Sequence, residues 1–285
     1  MRILRFFGST LAIIGVTFVG VRLYSYAVGV DFSHVNISEL FFIAFLAIIY
    51  AISNLMLAMA WLNLLAQTKI IVHQNWAIKT YGISQIAKYI PGNIFHLASR
   101  QAMGVSSGIN GLSLAKANIW ELALIAIAGA LFAFLVLPLL NWNLSIIFSY
   151  LSFLFVVIIV TAFIRLWIGH HMALAFIWHT CFLAVTGLLF LSLVKLIAND
   201  IENIADITGL LIGAYVIAWL IGLLTPGAPA GIGVREIVLI SLLNGVIPEL
   251  ELLLVVVLGR IVSACGDVIF FMATYFIPNI HSIRR

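Results

Sequence analysis

"LSIIFSYLSFLFVVIIVTAFIRLWI", residues 144–168, contains one charged residue, Arg165. A run this long and apolar matches what a helix needs to cross a hydrocarbon core of about 30 Å, about 20 residues at 1.5 Å each. It does not alternate polar and apolar residues, as a strand of a lipid-embedded barrel must, so the segment is predicted to be a transmembrane helix. Similar runs lie near 6–30, 40–66, 112–139, 172–198, 206–224 and 251–278, and seven spans are expected. A shorter apolar stretch, 232–247, reads either as an eighth span or as half of a re-entrant hairpin.

The composition agrees. Of 285 residues, 64% are hydrophobic and 8% charged, against roughly a quarter charged in an ordinary soluble domain. The expected fold is an all-α polytopic membrane protein of seven to eight helices, a single transmembrane domain over 1–285. The opening "MRILRFFGSTLAIIGV" has the basic head and apolar body of a secretory signal. Its apolar run outlasts the usual segment of about 7–15 residues and no small-x-small cleavage site follows, so a retained first span is expected. Cys181 and Cys265 fall inside apolar spans and read as two separate thiols.

The formal charge of +4 does not point to nucleic acid, because the basic residues are scattered among loops flanking the spans. They report topology instead. An N-terminus in the cytoplasm puts Arg2, Arg5, Lys69, Lys79, Lys88, Arg165, Arg284 and Arg285 on that side, with Arg22 and Lys195 near the other face. Both termini are then cytoplasmic, which requires an even number of crossings. Either 232–247 crosses or a re-entrant piece makes up the count. Lys116 and Lys195 sit near span ends and read as snorkelling residues.

Six charges remain near or within apolar segments: Arg100, Arg235 and Arg260 against Glu121, Glu236 and Asp267. An ionised side chain at the bilayer centre costs about 2.5–3.5 kcal/mol on insertion scales, so such residues normally face the bundle interior with partners. Arg260 and Asp267 are two helical turns apart on one face, and a coupled pair is expected there.

Irregular backbone accompanies these charges. "KYIPGNIFHLASR" (88–100) and "TPGAPAGIGVRE" (225–236) each place a Pro-Gly step ahead of an arginine by the same interval, Pro91 to Arg100 and Pro226 to Arg235. Pro91, Gly92, Pro226, Gly227 and Pro229 should break the helix, near 88–110 and 225–247. Unpaired backbone is tolerated in a membrane only where it is buried in protein or lines a wet cavity. A helix starting near Ile232 would offer free amides and a positive dipole end to a phosphate, and two such breaks in corresponding halves mark a transporter's binding site. Candidate substrate-binding residues are therefore Arg100, Arg235, Arg260, Asn93, His96, Gly231 and Gly233, with Glu121, Glu236 and Asp267 compensating their charge. The stretch "QNWAIKTYGISQIAKYI" (74–90) reads as an amphipathic helix lying in the cytoplasmic interface, with Trp76, Ile78, Tyr81, Ile83, Ile86 and Ile90 as its apolar residues.

"KYIPGNIFHLASR", then "PGAPAGIGVREIVLISLL", then "GRIVSACGDVIFF" together resemble the lysylphosphatidylglycerol synthase transmembrane-region family of flippase-like proteins. The resemblance covers most of the chain; its most specific piece is Gly233, Val234, Arg235 and Glu236 followed by an apolar helix and Arg260. It implies movement of a modified phospholipid between leaflets, a task that some members combine with a soluble domain that attaches the amino acid. Within these 285 residues no polar stretch is long enough for that domain. Stand-alone members of this size are associated with cell-surface glycan production. The family's loop often carries Ser-x-Gly-Gly where this chain has Gly227, Ala228, Pro229, Ala230 and Gly231, so no hydroxyl is supplied at that point.

The expected function is translocation of an anionic lipid, such as a phospholipid or a polyprenyl-phosphate-linked sugar, across a bacterial-type inner membrane. No cofactor or metal is implied, because no metal-ligand spacing appears. Membrane lipids are the expected partners; lipid-linked glycan biosynthesis proteins and a homo-oligomer are left open, and nucleic acid is excluded. Two alternatives stand: a non-transporting component of a glycan-synthesis complex, and an intramembrane lipid-modifying enzyme. Against the enzyme, Asp267 is the lone aspartate within a span. His179, deep in a span without an acidic neighbour in sequence, reads as a packing or hydrogen-bonding residue, and His170 and His171 as interfacial anchors.

Overall fold

The structure, a computed structural model, describes residues 36–90, 94–140, 145–198, 204–225, 231 and 233–278. Along the chain run α1 (Ile37–Gln67), α2 (Gln74–Gln85) with a 3-10 turn Ile86–Tyr89, α3 (Phe95–Ser106), and α4 (Gly111–Leu131) with a 3-10 turn Phe132–Val136. After these come α5 (Leu137–Leu140), α6 (Ile146–Trp167), α7 (His170–Ile197), α8 (Ile204–Leu224), α9 (Val234–Leu243) and α10 (Glu249–Tyr275). The chain is an all-α polytopic membrane protein. Among the described residues six helices are long and apolar enough to cross a membrane: α1, α4 with its 3-10 extension, α6, α7, α8 and α10. They coincide with six of the seven spans expected from hydropathy; the seventh, 6–30, lies outside the described residues.

Local chemistry starts and stops these helices. Asn110 Oδ1 accepts the N–H groups of Leu112 and Ser113 at the head of α4, and Ser145 Oγ accepts that of Phe148 at the head of α6. Both satisfy amides that no helical carbonyl can reach. Gly169, at φ +145°, turns α6 into α7. Helix α6 is the least buried of the six, with only 6% of its apolar stretch buried and Leu151, Phe155 and Ile158 exposed, as a helix apolar on every face is when it spans a membrane.

At the centre, α1 packs between α7 and α10. A Cβ placed on Gly266 of α10 would fall 2.7 Å from the Ala47 carbonyl oxygen of α1, and one on Gly82 of α2 would fall 2.1 Å from Thr274 Oγ1 of α10. Small residues at such crossings let membrane helices approach to backbone contact.

The first broken segment is re-entrant. Gly82 lies against Thr274, and Lys79 Nζ donates to the Ile277 carbonyl at 2.6 Å, so α2 starts beside the end of α10. Its 12 residues rise about 18 Å, roughly half the hydrocarbon core, and α3 packs against it on the way back to α4. The expectation of an interfacial amphipathic helix over 74–90 is thereby corrected. Helix α2 buries Ala77, Thr80, Tyr81, Gly82, Ser84 and Gln85 and leaves Trp76, Ile78 and Ile83 half exposed. Its buried face mixes Thr80, Ser84 and Gln85 with Ala77 and Tyr81, while Trp76 stacks on Trp61 and Ile78 packs against the core from the rim.

The second broken segment completes a crossing. Gly231 touches Gly222 near the end of α8, and Arg235 in the first turn of α9 reaches Tyr215 about two turns back along α8. Helix α9 thus retraces α8 toward the point where α10 begins. Its ten residues cover about 15 Å, so 232–247 is not a complete helical span; α9 is the half of the crossing next to α10. The start of α1 and the end of α10 consequently lie at opposite ends of the bundle. Gln67 and Ile168, joined by a 3.2 Å hydrogen bond, share the end occupied by Ile277. The two thiols, Cys181 and Cys265, are free.

Candidate functional site

Among the described residues three ion pairs each tie a half-helix or 3-10 turn to a long helix. Arg100 of α3 pairs with Glu121 of α4. Lys88 of the 3-10 turn pairs with Asp267 of α10 at 2.7 Å. Arg260 of α10 pairs with Glu236 of α9 at 2.6 Å. The re-entrant tip and the start of α9 thereby meet on α10, two turns apart, in the middle of the bundle.

Arg100 is fully buried. Its guanidinium lies 3.9 Å from the Tyr81 ring centroid and 5.2 Å from that of Trp61, and its Nε donates to Ser84 Oγ at 3.3 Å. Tyr81 donates its hydroxyl to the other Glu121 oxygen at 2.8 Å. Glu121, in the compensating position expected of it, and two aromatic faces hold Arg100, which is not among the residues lining the central cavity. It pins the hairpin to α4.

Asp267 accepts hydrogen bonds from Tyr89 at 2.6 Å and Asn54 at 3.2 Å besides its ion pair with Lys88. The expected Arg260–Asp267 pair is also corrected. Two helical turns separate the residues by about 10 Å along the axis, and side chains from other segments occupy each position. Lys88, assigned by charge distribution to the cytoplasmic face, is a site residue; its clue was adjacency to the Pro91 break. Tyr89 stood in the Tyr-x-Pro-Gly stretch of the first broken segment and Tyr81 among the residues of the expected amphipathic helix, whereas Asn54 carried no sequence signal beyond being a polar residue in an apolar run.

Around α9 the arrangement differs from a free amide cradle. Glu236 Oε2 accepts the Gly233 N–H at 2.7 Å while its Oε1 accepts from Arg260 Nε. Arg260 Nη2 donates to the Gly231 carbonyl at 3.0 Å. Gly231 and Gly233 therefore serve the protein's own side chains, and Glu236 occupies the place expected for a substrate anion at that amide. Gly231 and Gly233 adopt positive φ, +71° and +85°, which explains glycine at both positions. Asn93, Pro91, Gly92, Pro226, Gly227 and Pro229 lie outside the described residues.

A cavity of about 80 Å³ opens between these elements. Lys88, His96, Gln85, Arg235, Arg260, the Glu121 carboxylate and the hydroxyl-bearing Tyr50, Tyr81, Tyr89 and Ser263 form its polar wall; Leu57, Leu97, Leu122, Ile125, Phe182, Trp219 and Leu223 form the apolar one. Leu97, Leu122 and Leu223 are only half buried, so the apolar wall reaches the outer surface. Arg235 stands apart from the other cations. It is 7% exposed, its guanidinium lies 4.4 Å from the Tyr215 ring centroid, and it makes no hydrogen bond or ion pair with any described residue. His96 is buried with Nδ1 unpartnered among the described residues.

No protein-family model, curated protein or solved structure matches the chain. The site is accordingly read from its own chemistry. His179 packs fully buried on α7 with neither ring nitrogen hydrogen-bonded among the described residues, which places it with the packing residues. His171 Nδ1 lies 3.3 Å from Asn63 Oδ1 near the bundle end.

Proposed function

We propose that the protein translocates an anionic lipid between leaflets, with the phosphate held in the central cavity and the tails outside it. The observation carrying this reading is Arg235, nine-tenths buried in a cavity without a carboxylate partner among the described residues. A buried guanidinium that makes no ion pair is costly inside a membrane protein, and the Tyr215 ring face and the charge of the neighbouring Glu236 offset only part of that cost. An arriving phosphate supplies the missing charge, and the guanidinium fork matches its geometry. Arg260 borders the same cavity and completes the cationic wall.

The apolar wall supports an amphiphile over a soluble anion. Leu97, Leu122 and Leu223 lead from the cavity toward the hydrocarbon side, a path along which acyl or prenyl chains stay in an apolar medium while the headgroup crosses. The resemblance to flippase-like lysylphosphatidylglycerol synthase membrane regions points the same way. A bacterial-type inner membrane, with both termini in the cytoplasm, is the setting that this reading and the basic flanks imply.

The test is headgroup translocation in liposomes alongside thermal stability in detergent. Arg235→Gln removes a charge-assisted contact worth about 1.5–3 kcal/mol and lowers the initial rate about tenfold to a hundredfold without lowering the melting temperature. Arg235→Lys keeps the charge, loses the fork and falls between. Normal transport by Arg235→Gln, or loss only through unfolding, overturns the proposal.

A further inference from the structure

The charge balance around the cavity carries a statement about its ligand. Four cations, Lys88, Arg100, Arg235 and Arg260, face three carboxylates, Glu121, Glu236 and Asp267, among the described residues. Each carboxylate is matched to one cation at ion-pair distance, and Arg235 is the surplus. The remaining polar groups of the wall, Gln85, Ser263, His96 and the tyrosines, carry no fixed charge. Among the described residues the group is thus one positive charge out of balance.

We infer that this cavity selects a phosphodiester, which carries one negative charge, and discriminates against a diphosphate, which carries two or more. The inference rests on the reading of the cavity as an anionic-lipid site. A phosphodiester seated on Arg235 leaves the group of charges neutral. A diphosphate leaves it negative, and in a partly desolvated site an unmatched charge is penalised far more than in water. A second cation could be released to a diphosphate only by opening an existing pair. That strips Glu236 from Arg260 and Gly233, or Asp267 from Lys88, Tyr89 and Asn54. The substrate class is therefore a glycerophospholipid or a lipid-monophosphate glycoside, not a lipid-diphosphate-linked precursor.

The experiment measures binding to the purified full chain in nanodiscs of zwitterionic lipid. The probes are geranyl methyl phosphate, geranyl diphosphate and tail-less dimethyl phosphate. The expected result is that geranyl methyl phosphate binds about tenfold or more tightly than geranyl diphosphate, and that Glu236→Gln, which raises the surplus to two, narrows or reverses the ratio. Equal or tighter binding of the diphosphate to the wild-type chain overturns the inference while leaving the anionic-lipid reading intact. A wild-type preference that persists unchanged in folded Glu236→Gln assigns the selectivity to size and also overturns it. If Glu236→Gln does not fold, Asp267→Asn makes the same change in charge and is read by the same criterion. Binding of neither geranyl probe, or binding of both unchanged in Arg235→Gln, sinks the parent reading. Dimethyl phosphate binding as tightly as its geranyl ester keeps the charge selection and removes the lipid.

Discussion

Asp267→Asn is the sharpest probe of how the two broken segments are held. The carboxylate is 2% exposed and collects Lys88 at 2.7 Å, Tyr89 at 2.6 Å and Asn54 at 3.2 Å. Breaking one side of a fully buried pair costs about 3–5 kcal/mol. The Lys88 side chain is 17% exposed and borders a cavity, and asparagine keeps an acceptor for Tyr89, so the loss falls to about 2–3 kcal/mol. Lys88→Met alone leaves the carboxylate its two neutral donors and costs a similar amount. If the two residues act as a pair, the double variant loses about 2 kcal/mol less than the sum of the singles. The same cycle for Arg260→Gln with Asp267→Asn is additive within about 0.5 kcal/mol, because Arg260 answers to Glu236. Reversible unfolding in mixed micelles measures both cycles. Additivity for Lys88 with Asp267, or coupling of Arg260 to Asp267, refutes this assignment of partners.

Two further outcomes test the architecture. In a background lacking Cys181 and Cys265, cysteines placed at Asn36 and Glu249 react with an impermeant reagent from outside intact cells, and cysteines at Gln67 and Phe276 do not; the reverse pattern inverts the proposed orientation, and a mixed one breaks the bundle topology. Gly266→Ala puts a methyl 2.7 Å from the Ala47 carbonyl oxygen and 2.7 Å from the Tyr50 ring, and because the backbone oxygen cannot rotate away, stability in detergent drops by about 1–3 kcal/mol. An unchanged melting temperature for that variant removes the close α1–α10 contact from the account.

Long apolar runs without alternation determined the class of fold and the position of each described span, because desolvating a backbone in hydrocarbon leaves the helix as the only solution for such a segment. The described helical segments stop at Tyr89 and Leu224 and resume at Phe95 and Val234, on either side of the Pro-Gly steps at Pro91 and Pro226, which themselves lie outside the described residues. The pairing of charges was decided only by tertiary structure. Spacing along α10 put Arg260 and Asp267 on one face, but a carboxylate is claimed by whichever donor the packing brings within about 3 Å, and Lys88 and Glu236 arrive from segments remote in sequence. The same holds for α2. Its apolar residues suggested a helix on the membrane surface, yet Gly82 against Thr274 admits it to the interior, where its polar face supplies Tyr81 and Ser84 to Arg100 and Glu121. Tyr81, Ile86 and Ile90 are buried beside Thr80, Ser84 and Gln85, so neither the apolar nor the polar side of this short segment faces out as a whole, and the sequence alone does not say which helices it packs against.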